Sequence, residues 1–269
     1  MFGTLLNRVR ESKPLVHHIT NYVTVNDCAN ITLAIGASPV MADDIGEAAE
    51  IASIAQAVVL NIGTLSGRTI PSMISAGKSA NVNGAPVLID PVGAGASKLR
   101  NDTVERLLNE VKPCVLRGNI SEIRFIAGLS AETKGVDASE SDLAGTGDAG
   151  QIVKTLAQKL GCVVVVSGAV DAVSDGGKVI YIENGHPMLG NITGTGCMCS
   201  SLIGSFCGAA KDEPFAAAAA AMLCMGIAGE LAYKAAGRLG NGSFLSALHD
   251  AVSRMDAETL ERLGKYREE

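Results

Sequence analysis

The sequence predicts an α/β fold in which helices cover both faces of a central, mostly parallel sheet. Short β-branched runs alternate with longer helical patterns along most of the chain, as in proteins whose parallel strands are joined by crossover helices. The strand-like runs are apolar almost throughout, which is typical of strands buried on both faces. No linker or internal repeat interrupts the 269 residues, so we expect one domain spanning 1–269.

The β-branched runs are predicted as strands. They cover Pro39–Met41, Ala57–Asn61, Pro86–Asp90, Cys114–Leu116, Val163–Ser167, Asp171–Ser174 and Val179–Ile182. The final runs surround the tight-turn sequence Asp175-Gly176-Gly177, which indicates a meander at that end of the sheet.

Helical spacing of apolar residues predicts the helices that cover these strands. They span Val25–Ile35, Ile45–Ala55, Thr69–Val82, Asn101–Glu110, Ile120–Ala127, Gly147–Lys159, Cys197–Gly208, Pro214–Ala236, Phe244–Ser253 and Ala257–Arg267. The polar stretch Ala131–Thr146 mixes Glu, Asp, Ser and Gly, and we expect it to be a mobile surface loop.

Composition and charge restrict the function. The net charge of −6 and the absence of a basic stripe exclude a general nucleic-acid binder, although not a local nucleotide site. The longest apolar run, Phe215–Gly229, is shorter than the ~18–20 residues of a membrane span, so we expect a buried helix and no membrane association. The seven cysteines lie mostly in apolar segments, as reduced thiols of a cytoplasmic protein do.

The stretch Asn191-Ile192-Thr193-Gly194-Thr195-Gly196-Cys197 predicts an anion site. Its two glycines flank Thr195 where an apolar helix begins, and glycine lets the backbone approach a ligand closely. The free N–H groups and the dipole of a helix start attract anions. A cysteine beside an anion site indicates phosphoryl or acyl transfer. The helix start lowers the pKa of a thiol and a bound phosphate raises it, so the ionisation of Cys197 stays open.

Four further clusters begin where predicted strands end, and ligands of open α/β sheets bind at that edge. They are Asn61-Ile62-Gly63-Thr64, Asp90-Pro91-Val92-Gly93-Ala94-Gly95, Arg117-Gly118-Asn119-Ile120-Ser121-Glu122 and Ser167-Gly168-Ala169. Together with the anion turn they are expected to surround one crevice.

Asp90 and Glu122 are the carboxylates of these clusters. Phosphoryl transfer uses a hard cation, and Mg²⁺ prefers one or two carboxylates plus waters. The alternative is structural: Asp90 caps the turn before Pro91, and Glu122 complements a helix dipole. Arg117 is either a phosphate clamp or a partner in a surface salt bridge.

Several other site types are disfavoured. Cys197 and Cys199 form a C-x-C pair, but zinc needs four converging ligands, and residues two apart on a helix point in different directions. His17 and His18 are expected to be hydrogen-bonded rather than catalytic. A G-x-S-x-G elbow, a G-x-G-x-x-G after the first strand and a P-loop are all absent, which disfavours hydrolases, dinucleotide folds and P-loop NTPases.

The chain resembles the hydroxyethylthiazole kinases of thiamine salvage, within the ribokinase-like superfamily. The resemblance lies in an ordered set of motifs across about residues 15 to 210. The set comprises His18-Ile19-Thr20-Asn21, Pro39-Val40-Met41, Asn61-Ile62-Gly63-Thr64, Asp90-Pro91-Val92-Gly93-Ala94, Arg117-Gly118-Asn119-Ile120-Ser121-Glu122 and Gly194-Thr195-Gly196-Cys197. It implies a ribokinase-like fold and transfer of the ATP γ-phosphate to the hydroxyl of 4-methyl-5-(2-hydroxyethyl)thiazole.

The resemblance also implies roles for individual residues. Gly194, Thr195 and Gly196 form the anion hole for the moving phosphoryl group. Arg117 and Ser167 contact ATP, and Asp90 and Glu122 hold Mg²⁺, partly through water. Met41 and Gly194 contact the thiazole, with Asn21, Gly63 and Thr64 nearby.

Cys197 stands where the wider superfamily usually has an aspartate base, and cysteine there is the pattern of the thiazole kinases. The resemblance further implies a homotrimer with active sites at subunit interfaces. Three alternatives stay open: a ribokinase-like kinase acting on hydroxymethylpyrimidine or pyridoxal, a nucleotide-dependent repair dehydratase, and a non-catalytic small-molecule sensor.

Overall fold

A computed structural model of the chain describes residues 1–129 and 146–269. Within these ranges nine strands form one sheet in the order β2-β1-β3-β4-β5-β6-β7-β8-β9. The strands are β1 (Leu15–Ile19), β2 (Ser38–Met41), β3 (Ala57–Asn61), β4 (Val87–Asp90), β5 (Val115–Asn119), β6 (Val163–Ser167), β7 (Asp171–Ser174), β8 (Val179–Ile182) and β9 (Tyr266–Glu268). The pairings from β2 to β6 are parallel, and β6 to β9 form an antiparallel meander. The mostly parallel sheet and its final meander are therefore as predicted.

Helices pack on both faces of this sheet. They are α1 (Phe2–Ser12), α2 (Val25–Ile35), α3 (Ala48–Ile54), α4 (Thr69–Val82), α5 (Lys98–Glu110), α6 (Ile120–Ile126), α7 (Thr146–Leu160), α8 (Thr195–Ala209), α9 (Pro214–Ala236), α10 (Asn241–Arg254) and α11 (Ala257–Leu263). Helices α1, α2 and α8–α11 enclose one hydrophobic core, and α3–α7 enclose the other. Alternate residues of β6 enter opposite cores, Val163 and Val165 the first, Val164 and Val166 the second, because successive side chains of a strand point to opposite faces.

Helix α9 lies inside the protein. Together with the 3-10 turn that follows it, Pro214–Leu239 is long and apolar enough to cross a membrane, although 83% of its most apolar window is buried within the fold. The expectation that this run is too short for a span is therefore wrong, whereas the expectation of a buried helix is confirmed. Its alanines, Ala216–Ala221, are almost fully buried and let α8 and α10 pack closely against it.

One helix and two strands are not predicted from the sequence. Helix α1 and strand β1 were not predicted, and in β1 the polar residues His17 and His18 interrupt the apolar pattern although both are buried. Their rings are hydrogen-bonded to the carbonyls of Ala42 and Val16, as expected of non-catalytic histidines. Strand β9 was predicted as the end of the last helix, because its three residues are exposed and carry no hydrophobic pattern.

Some boundaries also differ. Helix α3 begins at Ala48 rather than Ile45, and β5 continues through Asn119 rather than ending at Leu116. Arg117 thus belongs to the strand and not to the loop after it. The predicted mobile loop, Ala131–Thr146, lies outside the described residues except for Thr146, where α7 begins.

Candidate active site

The strand-end clusters meet at the carboxyl ends of the parallel strands. Asn61 of β3 lies opposite Asp90 of β4, and Asn119 of β5 lies opposite Ser167 of β6. The N-terminus of α8 reaches the same edge, where Asn61 Nδ2 lies 3.2 Å from Cys197 Sγ. The clusters expected to surround one crevice are therefore brought together at the carboxyl ends of the parallel strands, where ligands of open α/β sheets bind.

The anion turn has the predicted geometry. Gly194 is the N-cap of α8 with φ of 86°, and the first helical hydrogen bond runs from the Met198 N–H to the Gly194 carbonyl at 2.8 Å. The N–H groups of Thr195, Gly196 and Cys197 consequently have no acceptor within the helix. They form a compact group of donors suited to an anion.

Side chains pack tightly around this turn. A Cβ on Gly194 would lie 2.5 Å from Thr24 Cγ2, and a Cβ on Gly196 would lie 2.8 Å from Arg117 Nη1. The Arg117 guanidinium therefore sits directly against the helix start. The Thr195 hydroxyl donates to the Leu189 carbonyl at 3.0 Å, so this side chain braces the turn and leaves its backbone N–H to the anion.

Cys197 is a buried thiol surrounded by hydrogen-bond donors. Its sulfur accepts from Asn21 Nδ2 and from Asn61 Nδ2, each at 3.2 Å. Burial raises the pKa of Cys197, and the nearby Asp90 carboxylate raises it further, while hydrogen bonds from Thr24, Asn21 and Asn61 act in the opposite direction. The raising effects prevail over these hydrogen bonds.

Asp90 carries an unpartnered oxygen. Its Oδ2 accepts from Asn61 Nδ2 at 2.8 Å and from the Ser200 hydroxyl at 2.7 Å. Its Oδ1 is buried and has no partner among the described residues. Burial raises the pKa of this carboxyl, and the Arg117 guanidinium, 3.9 Å away, opposes the shift. These bonds run to side chains of neighbouring elements, so the alternative in which Asp90 caps the turn before Pro91 is wrong.

Glu122 stabilises the start of a helix, as the structural alternative from the sequence proposed. It forms a capping box at the start of α6: its Oε2 accepts from the Asn119 N–H at 2.7 Å, and its Oε1 accepts from the Gly93 N–H at 2.8 Å. Burial raises the pKa of Glu122 to about 7, and the charge of Asp90 adds to that effect. Each oxygen keeps a second lone pair, so the capping role does not prevent contact with a cation or its water.

Arg117 points into the site from within β5. Its Nη2 donates to Ser167 Oγ at 2.8 Å, and its Nε has no partner among the described residues. Only 8% of the residue is exposed. The surface salt bridge considered for Arg117 is therefore wrong, and a buried guanidinium beside a helix start is suited to a phosphate.

The residues expected near the thiazole lie on adjoining loops. A Cβ on Gly63 would lie 2.7 Å from Asn21 Nδ2, and Thr64 Oγ1 accepts from the Tyr22 N–H at 3.2 Å. Met41 is half-buried at the carboxyl end of β2, opposite His18 of β1. Asn21, Gly63 and Thr64 are thus brought together with Cys197, whereas no described hydrogen bond links Met41 to them.

Four residues of the site have no individual role predicted from the sequence, although Asn61 belongs to one of the predicted strand-end clusters. Asn61 and Ser200 bond to Asp90; Arg100 donates to the carbonyls of Ile62, Gly63 and Val92; and Asp171 accepts from the Gly168 N–H at 2.9 Å. Burial raises the pKa of Asp171 to about 7. A signal existed for Asn61, because it ends an apolar strand beside the strand that ends in Asp90. Arg100 and Ser200 lie within ordinary helical patterns and give no comparable signal.

A metal site built from protein ligands alone is not present: the described ranges contain no group of three or more His, Cys, Asp or Glu side chains placed to hold an ion. Mg²⁺ needs fewer, since it commonly keeps several waters and binds one or two carboxylates. The unpartnered Asp90 Oδ1 and the neighbouring Glu122 fit that pattern. All seven cysteines are free, and Cys197 and Cys199 form no zinc site with the other described residues.

Comparisons with known proteins identify the family of the chain. Residues 6–258 match the hydroxyethylthiazole kinase family. A hydroxyethylthiazole kinase of Ruminiclostridium cellulolyticum is 62% identical over 94% of this chain and 92% of its own length. One of Clostridium beijerinckii is 58% identical over 99% and 96%.

Solved structures give the same result for the fold. A hydroxyethylthiazole kinase protein from Pyrococcus horikoshii OT3 aligns with a TM-score of 0.90 at 40% identity, covering 100% of this chain and 98% of its own. A pyridoxal kinase from Staphylococcus aureus in complex with ADP aligns with a TM-score of 0.58 at 14% identity, over 81% and 88% of the two chains, which shows a shared fold. The predicted ribokinase-like fold is thereby confirmed, and the chain belongs to the hydroxyethylthiazole kinase family.

Proposed function

We propose that this protein transfers the γ-phosphoryl group of ATP to the hydroxyl of 4-methyl-5-(2-hydroxyethyl)thiazole in thiamine salvage. Membership of the family makes it a kinase. One observation carries the assignment of the site: the α8 N-terminus, the Arg117 guanidinium and the Cys197 thiol meet at the carboxyl ends of the parallel strands. Such a site supplies the positive charge and the positioning on which phosphoryl transfer depends.

The anion hole and Arg117 receive the phosphates. The N–H groups of Thr195, Gly196 and Cys197 contact the moving phosphoryl group, and Arg117 together with Ser167 contacts ATP. Arg117 Nε has no partner among the residues that the structure describes, while Nη2 donates to Ser167. The guanidinium is therefore already oriented before ATP arrives, which lowers the entropy lost on binding.

Asp90 and Glu122 hold Mg²⁺, which neutralises phosphate charge when it is bound. Asp90 offers its unpartnered Oδ1. Glu122 already accepts two backbone N–H bonds, and its remaining lone pairs would contact the ion partly through water. Asn61 and Ser200 keep the Asp90 carboxylate in one orientation through its other oxygen.

Cys197 orients the substrate hydroxyl, and its sulfur accepts the hydroxyl proton late, in the thiolate form. A loose transition state places little demand on early proton removal. A thiol whose pKa is raised by burial and by Asp90 is a poor base in the ground state, and this agrees with a positioning role first. The thiazole lies against Gly194, Asn21, Gly63 and Thr64, with Met41 at the outer edge of the site.

The assembly and its location complete the proposal. Tyr22 and Val23, which directly follow Asn21, are 79% and 56% exposed. Large apolar side chains beside a binding site are suited to a subunit contact, and we propose a homotrimer whose neighbouring subunit covers the thiazole. Seven free cysteines accord with the reducing cytoplasm.

The reaction itself is the first test. Purified protein is incubated with Mg-ATP and hydroxyethylthiazole, and ADP and thiazole phosphate are quantified. Equal amounts of both products, and none without Mg²⁺, are expected. If ATP binds but thiazole phosphate does not form, hydroxymethylpyrimidine and pyridoxal become the acceptors to examine. Tight thiazole binding without ATP turnover on any of these alcohols would indicate a sensor instead.

A further inference from the structure

Asn61 joins the two reacting sides of the site. It is the last residue of β3, and only 1% of it is exposed. Its Nδ2 donates to Asp90 Oδ2 at 2.8 Å and to Cys197 Sγ at 3.2 Å. Its Oδ1 accepts from the Gly63 N–H at 2.9 Å and from Asn21 Nδ2 at 3.1 Å. Both N–H groups of the amide and both acceptor positions of its oxygen are therefore used within the site.

Backbone donors fix the orientation of this amide. The Gly63 N–H can only donate, so the Asn61 atom facing it must be the oxygen, and the NH₂ group must face Asp90 and Cys197. The same reasoning applies to Asn21, whose Oδ1 accepts from the Thr24 N–H at 3.1 Å. Both amides thus direct N–H bonds at one sulfur.

We propose that Asn61 is a positioning residue that fixes the Cys197 sulfur relative to the Asp90 carboxylate. This inference rests on the proposed function, in which Cys197 contacts the substrate hydroxyl and Asp90 faces the cation. Cys197 belongs to α8 and Asp90 to β4, and the Asn61 amide is hydrogen-bonded to both side chains. Ser200, one turn beyond Cys197 in α8, also donates a hydrogen bond to Asp90. Its hydroxyl has no described hydrogen bond to the Cys197 sulfur.

Positioning matters here because a cysteine side chain has one rotatable bond with staggered minima. Without a donor from Asn61 the sulfur can occupy another minimum, displaced from the line between the hydroxyl and the phosphoryl group. A displacement of about 1 Å can cost about 100-fold in rate. We therefore expect Asn61 to act on kcat more than on the KM of either substrate.

Two variants separate the donor and acceptor sides of the amide. Asn61→Leu removes all four hydrogen bonds at similar volume. Asn61→Asp keeps an oxygen for the Gly63 N–H and the Asn21 amide, and it places oxygen where the NH₂ group stood. Both are expected to lower kcat by about 10- to 100-fold. The Asp variant should keep the KM for the thiazole within about twofold, because the Gly63 loop keeps its acceptor.

A double-mutant cycle identifies the route of the effect. Asn61→Leu and Asn61→Asp are each made in the wild-type and the Cys197→Ala backgrounds, and phosphoryl transfer is followed at saturating Mg²⁺ with radiolabelled ATP and excess enzyme. If Asn61 acts through the sulfur, substituting Asn61 lowers the rate of phosphoryl transfer by a clearly smaller factor in the Cys197→Ala background than in the wild type. Ser200→Ala, which removes a described hydrogen bond to Asp90 and none to Cys197, is the matched control and should cost the same factor in both backgrounds within about twofold.

The outcomes are distinct. Equal fold-losses for the Asn61 variants in both backgrounds, within about twofold, overturn the inference. Circular dichroism and the thermal midpoint establish that each variant is folded, and the Asp variant carries the test if Leu is not tolerated. Failure of the proposed function appears earlier, as a wild-type protein that makes no thiazole phosphate. The same cycle is then run with whichever alcohol the wild type phosphorylates.

Discussion

Cys197 is the residue whose chemistry defines the site. Burial and Asp90 raise its pKa, and its sulfur accepts hydrogen bonds from two amide donors. We expect Cys197→Asp to stay active, since a carboxylate can accept the same N–H bonds and the late proton. Cys197→Ala should lose much of kcat, by about 100-fold as for other proton-transfer groups. Steady-state kinetics at saturating ATP and thiazole measure both, and an unchanged kcat in the alanine variant would contradict the role given to the thiol.

The proposed role of Glu122 at the cation predicts that Mg²⁺ binding depends on pH. Burial raises its pKa from 4.5 to about 7, so between these values the folded protein holds a proton that the unfolded chain has released. Stability without Mg²⁺ therefore contains a favourable contribution from Glu122 at low pH, which is lost as the pH rises through about 7. Mg²⁺ favours the carboxylate and competes with that proton.

We expect Mg²⁺ to raise the thermal midpoint more at about one unit above this pKa than at about one unit below it. The concentration of Mg²⁺ that gives half-maximal activity should be lower at the higher pH. Scanning fluorimetry with and without Mg²⁺ measures the first quantity. In Glu122→Gln the pH dependence should largely disappear, with Asp171 as the remaining buried carboxyl of similar pKa. Equal Mg²⁺ shifts at both pH values in the wild type would argue against Glu122 as a ligand.

Gly194 is required by backbone geometry as well as by space. Its φ of 86° disfavours any side chain, and a Cβ would approach Thr24 Cγ2 to 2.5 Å. Gly194→Ala should lower the free energy of unfolding by at least about 1–2 kcal/mol and should weaken kcat by distorting the anion turn. Gly190→Ala is the matched control on the preceding turn, where a Cβ would meet nothing within 4 Å. Thermal unfolding and kcat of the two variants decide the matter, and similar losses in both would refute the argument.

At the level of elements, α5 connects two loops of the site through one side chain. Arg100 donates to the carbonyls of Ile62 and Gly63 in the loop after β3 and of Val92 in the loop after β4, at 2.5 to 2.7 Å. A guanidinium presents several donors in a fixed plane, whereas an ammonium is a single centre. The arginine therefore sets the distance between the two loops.

Arg100→Lys should raise the KM for the thiazole and lower the free energy of unfolding by about 1–3 kcal/mol, since buried carbonyls lose their donors. Arg106→Lys is the control on the same helix, because Arg106 forms only an exposed ion pair with Glu110; its effect should stay below about 1 kcal/mol. Urea unfolding and steady-state kinetics compare the pair. Equal effects of the two substitutions would mean that the loops are held by other contacts.

The elements also show what the sequence could reveal. Strands such as β3 and β6 were predicted to the residue because apolar side chains on both faces leave an unbroken pattern. Strand β1 was missed because His17 and His18 are buried with backbone partners, and β9 because an exposed edge strand buries nothing. The edge of the sheet at which ligands bind followed from strand ends alone. The hydrogen bonds made by Asn61, Ser200 and Arg100 depend on distant segments meeting, which periodicity does not encode.

At the level of the whole molecule, the active site opens beside exposed apolar side chains. Tyr22 and Val23 follow Asn21, and Ile45 follows the loop after Met41; Ile45 is 53% exposed. Tyr22 and Val23 thus adjoin the proposed thiazole side of the site through Asn21, and Ile45 lies close to Met41 in the sequence. A homotrimer would bury them and shield the reacting groups from water, which strengthens electrostatic interactions in the site.

This arrangement predicts that assembly and activity fail together. Val23→Asp places a charge in the proposed contact and should convert the trimer into smaller species, with thiazole phosphorylation falling as the protein is diluted. Val82→Asp is the matched control. Val82 is 86% exposed, but it is the last residue of α4 and precedes the start of β4, so it lies at the amino ends of the parallel strands. Size-exclusion chromatography with light scattering gives the masses, and activity is measured across the same concentrations. A Val23→Asp protein that remains trimeric and active would place the contact elsewhere, and a monomeric wild type with full activity would show that one subunit closes its own site.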